Sequence, residues 1–311
     1  MSKLDKIEEY QSLLKEDPSN FQVRRQLAVL LLDVGYSEEA LQHFLYLSQI
    51  FKQDSGIFYN LGIVYEKLKK FEKAKDAYLK AIEFAPEEVD AVYNLGLVYI
   101  ELKEYKKAID CFNRVLETDD KDSNSYFNIG LAYFKMGDLI QALDYFQRTV
   151  EINDDDIYAH FYIGNIFKEF GDDETAKEKF EKVLKISPDY SWAYYNLAVI
   201  KYENGEIDAA MENLEKTIEL NPKDMEAYTI YAKILAKDGD YESANDLIRD
   251  ALRQCGPNGD LFYIYAQIKK ELEDYDAYIN YLNKALESND TLSAAPKAVK
   301  AELDAAKETY K

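Results

Sequence analysis

The chain has 311 residues, of which 47% are hydrophobic and 31% charged, with 12 Gly and 6 Pro. This composition is typical of a folded, helix-rich protein and excludes a disordered one. The formal net charge of −21 argues against nucleic acid and anionic membrane surfaces as partners, since both attract basic patches. A basic partner is compatible with this charge but is not implied by it.

The two cysteines, Cys111 and Cys255, are far apart and have no histidines beside them in a ligand pattern. They predict neither a disulfide framework nor a zinc site, and we expect no cofactor and no metal. The N-terminal segment is charged and the longest apolar run, 27–32, is short. We therefore expect no signal peptide and no membrane insertion, and the expected location is the cytoplasm.

Residues 1–20 are the first predicted element. Leu4, Ile7, Tyr10 and Leu13 recur at helical spacing, and Pro18 follows them. The pattern predicts one amphipathic helix over 3–17. We expect this helix to cap the apolar end of the segment that follows it.

Residues 21–292 consist of eight segments of 34 residues, which begin at 21, 55, 89, 123, 157, 191, 225 and 259 without any insertion. Such a period is the signature of a repeat architecture. The eighth position of every segment is small, as is typical where two helix backbones approach closely. These residues are Ala28, Gly62, Gly96, Gly130, Gly164, Ala198, Ala232 and Ala266.

Each segment contains two blocks with helical periodicity. In the second segment Phe58, Leu61 and Tyr65 mark the first block, and Phe71 and Tyr78 mark the second. Glycines separate the blocks in five segments and prolines end three of them, which predicts tight turns and helix ends. Each repeat is therefore predicted to be a pair of antiparallel helices. The residues at these turns and ends are Gly35, Gly137, Gly171, Gly205, Gly239, Pro86, Pro188 and Pro222.

Residues 293–311 are the last predicted element. From Pro296 onward, Val299, Leu303 and Ala306 lie on one side of a helical pattern and Lys and Glu on the other. We expect a C-terminal capping helix. No low-complexity segment or linker interrupts the chain, so residues 1–311 are predicted to form a single domain.

The repeat resembles the tetratricopeptide repeat. The pattern of that family is complete in the second segment, where it consists of Phe58, Leu61, Gly62, Tyr65, Ala74, Tyr78, Ala81 and Pro86. Departures occur near the ends of the array and late in the chain, at Arg24, Lys201, Lys269 and Tyr278. The resemblance implies an all-α, right-handed superhelical α-solenoid of antiparallel helix pairs, with a capping helix at each end.

The resemblance also implies a concave groove lined by positions 2, 5, 6, 9, 12 and 13 of each first helix, here called the groove positions. Position 6 is asparagine in four repeats, and an asparagine side chain offers an acceptor and two donors to a peptide backbone. Such a column is similar to the asparagine ladder of the O-linked N-acetylglucosamine transferases. The four residues are Asn60, Asn94, Asn128 and Asn196. The alternative is that they are consensus residues that make local hydrogen bonds, in an array that binds nothing in its groove.

Aromatic side chains accompany the asparagines at the groove positions. We expect them to form an exposed aromatic wall, which is typical of a recognition surface. For Trp192 the alternative is that the ring packs sideways on the neighbouring repeat. The predicted aromatic contacts are Tyr59, Tyr93, Phe127, Phe161, Tyr162, Trp192, Tyr195 and Tyr202.

Two more specific functions are not predicted. The carboxylate clamp with which some tetratricopeptide domains capture chaperones requires Lys at position 5 and Asn at position 9, where the first repeat has Arg25 and Val29. The only histidines, His43 and His160, do not lie in an arrangement of nucleophile and base, and His160 is expected to be a packing residue. We therefore expect neither a co-chaperone clamp nor an enzyme.

Two functional hypotheses follow. The first is a non-enzymatic scaffold for protein–protein interaction that binds a peptide segment of a partner protein in the groove through the asparagine and aromatic side chains. The second is a structural protein that associates with itself through outer-face or terminal surfaces. The aromatic residues at the groove positions favour the first hypothesis.

Overall fold

In a computed structural model that describes residues 2–310, the chain is all-α. The described residues form eighteen α-helices and a short 3-10 turn at Asn289–Thr291, and they contain no β-strand. Consecutive helices are joined by short turns, and each repeat forms an antiparallel helix pair, with one further helix before the first pair and one after the last along the chain, which confirms the predicted fold class. The first helices of the pairs begin at the residues that the 34-residue period predicts, namely Phe21, Ser55, Val89, Ser123, Ile157, Ser191, Met225 and Gly259.

The chain divides into two compact units, one ending at Ala159 and the other beginning at His160. The organisation as a single domain stays a prediction. The helices of the first unit are α1 Lys3–Glu16, α2 Phe21–Asp33, α3 Ser37–Ile50, α4 Ser55–Lys67, α5 Phe71–Phe84, α6 Val89–Glu101, α7 Tyr105–Leu116, α8 Ser123–Met136 and α9 Leu139–Ile152. Helix α10, Ile157–Glu169, contains the boundary. The helices of the second unit are α11 Asp173–Ile186, α12 Ser191–Glu203, α13 Ile207–Leu220, α14 Met225–Lys237, α15 Tyr241–Cys255, α16 Gly259–Glu271, α17 Tyr275–Glu287 and α18 Pro296–Thr309.

Side chains just before the first helices fix where several of these helices begin. Asp54 accepts a hydrogen bond from the backbone N–H of Ile57 at 3.1 Å, and Asp122 accepts one from Ser125 at 3.0 Å. Such a cap satisfies an N–H group that has no partner within the helix and places a negative charge at the positive end of the helix dipole. Because Asp54 and Asp122 occupy the same position of their repeats, the helix starts follow the repeat period.

A residue in the left-handed backbone conformation follows the first helix of every repeat, at position 15. It is a glycine in five repeats, as predicted, with φ between 76° and 93°. In the other three repeats it is Lys69, Lys103 or Glu273, with φ of 54°, 60° and 58°. The same turn therefore reverses the chain in all eight repeats, including the three in which no glycine indicates it.

Replacing Lys103 with glycine is expected to raise the free energy of unfolding by about 0.5–1 kcal/mol. A side chain costs about 1–2 kcal/mol in the left-handed region, and the greater flexibility of glycine in the unfolded chain offsets part of this gain. Urea denaturation followed by helical circular dichroism measures the change. In the control Lys179→Gly, which lies inside α11, the free energy of unfolding should fall by about 1 kcal/mol. A Lys103→Gly protein that is no more stable than the parent would contradict the expectation.

The small residue at position 8 makes room for the side chain at position 24 of the same repeat. In repeats two to five, glycine at position 8 faces an aromatic ring, and a Cβ atom added to Gly96, Gly130 or Gly164 would lie 2.8–2.9 Å from that ring. In repeats six to eight, alanine at position 8 accompanies Leu or Ile at position 24. Repeat one, with Ala28 and Phe44, is the exception. The pairs with an aromatic ring are Gly62 and Tyr78, Gly96 and Phe112, Gly130 and Phe146, and Gly164 and Phe180.

Gly130→Ala is expected to destabilise the protein by about 1–2 kcal/mol, because overpacking against Phe146 exceeds the gain in helix propensity. In a Phe146→Leu background, which reproduces the pairing of repeats six to eight, the same change should be neutral or stabilising. The control Gly56→Ala meets only the Asp54 carboxylate at 3.4 Å and should not destabilise. Urea denaturation of the four proteins in the cycle gives the interaction energy, and additive effects would show that Phe146 does not set the space at Gly130.

The C-terminal helix α18 caps the second unit as predicted. Val299, Leu303 and Ala306 are buried against α17 and the end of the core. The Glu302 carboxylate of α18 accepts hydrogen bonds from Tyr263 at 3.1 Å and Tyr278 at 2.7 Å. The helix therefore covers the last repeat with both apolar and polar contacts.

The N-terminal helix α1 packs in a register that differs from the expectation. Ile7 is buried and Tyr10 and Leu14 contact the core of the first unit, whereas Leu4 and Leu13 are 55% and 38% exposed. The prediction that Leu4 and Leu13 lie on the packed face was wrong. The reason is that α1 packs mainly on one helix, α2, so only a narrow stripe of its surface is covered.

Candidate functional site

The predicted groove residues all lie on first helices. In the first unit, α4 carries Tyr59 and Asn60, α6 carries Tyr93 and Asn94, and α8 carries Phe127 and Asn128. In the second unit, α10 carries Phe161 and Tyr162, and α12 carries Trp192, Tyr195, Asn196 and Tyr202. Each unit therefore has its own set.

Two asparagines of the first unit, Asn60 and Asn128, bind their own helices. The Asn60 side-chain amide donates to the carbonyl of Gly56 at 2.7 Å, and that of Asn128 donates to the carbonyl of Asn124 at 2.9 Å. A carbonyl only accepts, so these contacts also fix which end of each side chain is the nitrogen. In each case the Nδ2 atom faces the preceding turn of its own helix.

Two of the asparagines also connect neighbouring repeats. The Asn94 amide donates to the Tyr59 hydroxyl at 3.2 Å, and the Asn128 amide donates to the Tyr93 hydroxyl at 2.9 Å. Each bond joins position 5 of one repeat to position 6 of the next, and we call these two bonds the Tyr–Asn bridges. The bridges give the repeated asparagine an internal role, as the alternative hypothesis expected.

The bridges leave one acceptor and one donor unused. Among the described residues, nothing donates a hydrogen bond to the Oδ1 atoms of Asn94 and Asn128, and neither Tyr59 nor Tyr93 donates its hydroxyl proton. Burial raises the pKa of both phenols, and the carboxylates of Asp90 and Asp122 respectively raise it further. Both hydroxyls therefore keep their proton. The arrangement can accept one hydrogen bond and donate another at each bridge.

The aromatic rings at position 5 of the first unit are half-buried. Their centroids lie 5.4–5.9 Å from the rings at position 24 of the same repeats, in the pairs Tyr59 and Tyr78, Tyr93 and Phe112, and Phe127 and Phe146. These rings are therefore less exposed than the predicted aromatic wall would require. They pack edge-on or tilted over the second helix, because the glycine at position 8 brings that helix close.

The groove residues of the second unit make different contacts. Asn196 is buried, donates to the carbonyl of Trp192 at 2.9 Å and accepts from the Lys168 ammonium at 3.2 Å. Tyr195 donates to the Glu226 carboxylate at 2.9 Å. Both ends of the Asn196 amide are therefore occupied, unlike those of Asn94 and Asn128.

The aromatic residues of the second unit range from packed to exposed. Phe161 contacts Phe180 and Tyr190, with ring centroids 5.8 and 5.4 Å apart, and Tyr162 and Tyr202 are half-buried. Trp192 is 50% exposed. Trp192 is thus the predicted aromatic residue of the second unit that comes closest to an exposed wall.

Two features of the first-helix surface were missed. Position 9 of the first unit is aliphatic, with Ile63, Leu97 and Leu131 half-buried beside the asparagines. The second unit has a cleft of about 440 Å³ between α14 and α16. The signal for the cleft was present in the sequence, since position 5 is aromatic in repeats two to six and in repeat eight but is Thr229 in repeat seven.

Both histidines are at least partly buried within the fold. His160 is buried, as expected of a packing residue. His43 shares a hydrogen bond with Arg24 at 3.3 Å, and burial, together with the Arg24 charge, lowers the pKa of His43. Within residues 2–310, no three or more His, Cys, Asp or Glu side chains are grouped so as to hold a metal ion. Across the same residues, no helix combines the length and apolar character that crossing a membrane requires.

Comparison with family models decides the family. Tetratricopeptide repeat models match residues 56–88, 88–155 and 167–234, which together are more than half of the chain. The chain belongs to the tetratricopeptide repeat family. A model described as "Anaphase-promoting complex, cyclosome, subunit 3" also matches residues 203–285.

Solved structures show the same fold. MamA from Desulfovibrio magneticus RS-1, residues 41 to the end, is 26% identical over 55% of this chain and 97% of its own, with a TM-score of 0.52. A tetratricopeptide repeat protein from Parabacteroides merdae is 16% identical over 81% of this chain and 98% of its own, with a TM-score of 0.57. Yeast Tom70 is 19% identical over 88% of this chain and 59% of its own, with a TM-score of 0.57. No curated protein sequence matches the chain.

Tyr93→Phe is expected to lower the free energy of unfolding by about 0.5–1.5 kcal/mol, because it removes the acceptor of the Asn128 amide and leaves the ring packing intact. Tyr126→Phe is the matched control, since that hydroxyl makes a longer bond of 3.3 Å at an exposed site, and it should cost less. Urea denaturation of Tyr93→Phe, Asn128→Ala and the double variant measures the coupling. Strictly additive effects would mean that the bridge does not contribute to stability.

Proposed function

We propose that the protein is a non-enzymatic scaffold that holds an extended segment of a partner protein along its first helices, in the concave groove that the family resemblance predicts. The observation that carries this proposal is the pair of Tyr–Asn bridges. Each bridge leaves an Oδ1 acceptor and a phenol donor unused on neighbouring residues of the same surface. A peptide group offers one N–H and one C=O, which match this pair without regard to the partner's sequence.

Hydrogen bonds alone would bind weakly. A net gain of about 0.5–1.5 kcal/mol for each bond at two bridges is comparable with the cost of ordering a flexible segment. The half-buried aliphatic residues Ile63, Leu97 and Leu131 supply an apolar surface beside the bridges. We infer that apolar side chains of the partner pack on this surface and supply most of the affinity.

The partner is a protein. The net charge of −21 is unfavourable for nucleic acid, and tetratricopeptide repeat proteins bind protein partners. The chaperone carboxylate clamp is not part of the proposal, since Arg25 is paired with Asp54 and the clamp asparagine is replaced by Val29.

Self-association is the second candidate, and one observation favours it. Leu45 and Leu79 occupy the same position of neighbouring second helices, α3 and α5, and are 40% and 44% exposed. An apolar pair on this face suits a contact between copies. Sedimentation of the protein and of a Leu45→Glu/Leu79→Glu variant tests this candidate, because a monomer at all concentrations would exclude it.

The groove proposal predicts that a variant with Asn60, Asn94 and Asn128 all changed to Ala loses at least about tenfold in affinity for a partner captured by the parent protein, because three acceptors are removed. The matched control is Asn213→Ala/Asn283→Ala. These asparagines donate to the preceding turn in the same way, but they lie on the second helices α13 and α17. The measurement is capture from cell lysate, followed by titration with the identified partner.

Circular dichroism establishes that the triple variant keeps its helix content. The control should bind like the parent. Equal affinity of the parent and the triple variant for every captured protein would overturn the proposal that the groove asparagines hold the partner.

A further inference from the structure

The second unit contains a cleft between the first helices of repeats seven and eight, α14 and α16, here called the α14–α16 cleft. Its volume is about 440 Å³, and its lining belongs mainly to groove positions of the two helices. Thr229, Ala232 and Ala236 form the α14 wall, while Tyr263, Ile264 and Ile268 form much of the α16 wall. The cleft therefore lies at groove positions of the second unit, the kind of position along which we propose that a partner segment is held.

The cleft exists because repeat seven lacks a ring. Position 5 holds Tyr or Phe in repeats two to six, where the ring covers the space above position 24, but in repeat seven it holds Thr229. The small side chains Ala232 and Ala236 follow on the same wall. An apolar cavity of roughly 150 Å³ already holds benzene. The α14–α16 cleft is large enough for the biggest apolar side chains, including an indole.

Four of the polar residues on the α16 side of the cleft have partners within the protein. Asp260 accepts hydrogen bonds from the backbone N–H and hydroxyl of Ser293 at 2.6 and 2.7 Å. Tyr263 and Gln267 donate to Glu302 at 3.1 and 2.8 Å. These groups therefore present little unmet hydrogen-bonding capacity to an occupant.

Lys233 differs from these groups. It is exposed on the α14 wall, and within the described residues it makes no ion pair or hydrogen bond. Lys237, one turn further along α14, is also exposed without an ion pair there. The other charged wall residues are Asp260 and Glu271, and both lie on α16. In a chain of net charge −21, the α14 side of the cleft thus offers positive charge to an occupant.

We propose that the α14–α16 cleft receives a large apolar side chain from the partner segment, and that an Asp or Glu within two residues of this anchor pairs with Lys233. The inference rests on the proposed function, since the occupant belongs to the segment held along the first helices. The apolar walls take the anchor because they have few unmet polar groups. The carboxylate fits the α14 side because the ammonium of Lys233 has no counter-ion among the described residues.

The test starts from a phage-displayed library of random dodecapeptides selected on the full chain. The expected consensus is a Trp, Phe, Leu or Met with an acidic residue within two positions. A synthetic peptide of that consensus is then titrated against the parent and the variants. Replacing its anchor with Ala should weaken binding at least about tenfold.

Thr229→Phe fills the cleft with the ring that repeats four and five carry at this position and should weaken the peptide at least about tenfold, whereas Thr229→Ser should bind like the parent. Ala236→Phe is a second filling variant, and it introduces the side chain that Phe134 places at the same position of repeat four. Helix content and melting temperature show that each variant is folded. Unchanged peptide affinity in both folded filling variants would overturn the proposal.

Lys233→Glu should weaken the binding of the acidic peptide about two- to fivefold. It should strengthen the binding of a peptide with Lys in place of the acidic residue. Lys185→Glu, an equal change of charge on α11 outside the cleft lining, is the control. Two results would contradict the proposal for the cleft and leave the proposed function intact. One is a consensus without an apolar anchor, and the other is a set of peptides whose binding is weakened only by the triple asparagine variant. If the parent protein selects no peptide at all, the proposed function fails and the cleft assignment fails with it.

Discussion

The contact between position 8 of the first helix and position 24 of the second is the constraint on which each repeat depends. Where position 8 is glycine, an aromatic ring fills the space that a Cβ atom would otherwise occupy, as at Gly130 and Phe146. Dense packing leaves no room for both a larger residue and a ring. The ring then supports the side chain at position 5, as Phe146 supports Phe127 at 5.5 Å. The packing of position 8 against position 24 therefore determines where the side chain at position 5 lies.

That support explains how a weak hydrogen bond can recur between repeats. Position 5 of one repeat reaches position 6 of the next only if both first helices are held at a constant offset. The Tyr93 ring is held against Phe112, and its hydroxyl meets Asn128 at 2.9 Å. Where Phe127 replaces the tyrosine, no hydroxyl remains to continue the series. The four asparagines thus differ in their hydrogen bonds, and Asn196 accepts one from Lys168.

The sequence predicted the fold because the repeat period carries it, and caps such as Asp54 and Asp122 recur with that period. The left-handed turns at Lys69 and Lys103 were not predicted, because these side chains do not favour that conformation and nothing local to them indicates it. The candidate site was harder still. A motif shows which side chains share a face, but not which of their atoms already have partners, and the burial of the position 5 rings depended on distant residues at position 24. In the sequence, the only sign of the α14–α16 cleft is the absence of an aromatic ring at Thr229. This absence is noticeable only by comparison with the neighbouring repeats, in which Tyr or Phe occupies the same position.

The Tyr–Asn bridges also constrain how a peptide could be held. The Asn128 amide already donates both of its N–H bonds, one to Tyr93 and one to Asn124. A peptide carbonyl that took a proton from Asn128 would break one of them, and the gain would largely cancel. A carbonyl that accepts from the Tyr93 hydroxyl, beside a peptide N–H that donates to the Asn128 Oδ1, leaves the bridge intact. Binding in this mode adds hydrogen bonds without removing any, so the contact that joins the repeats and the contact that holds the partner do not compete.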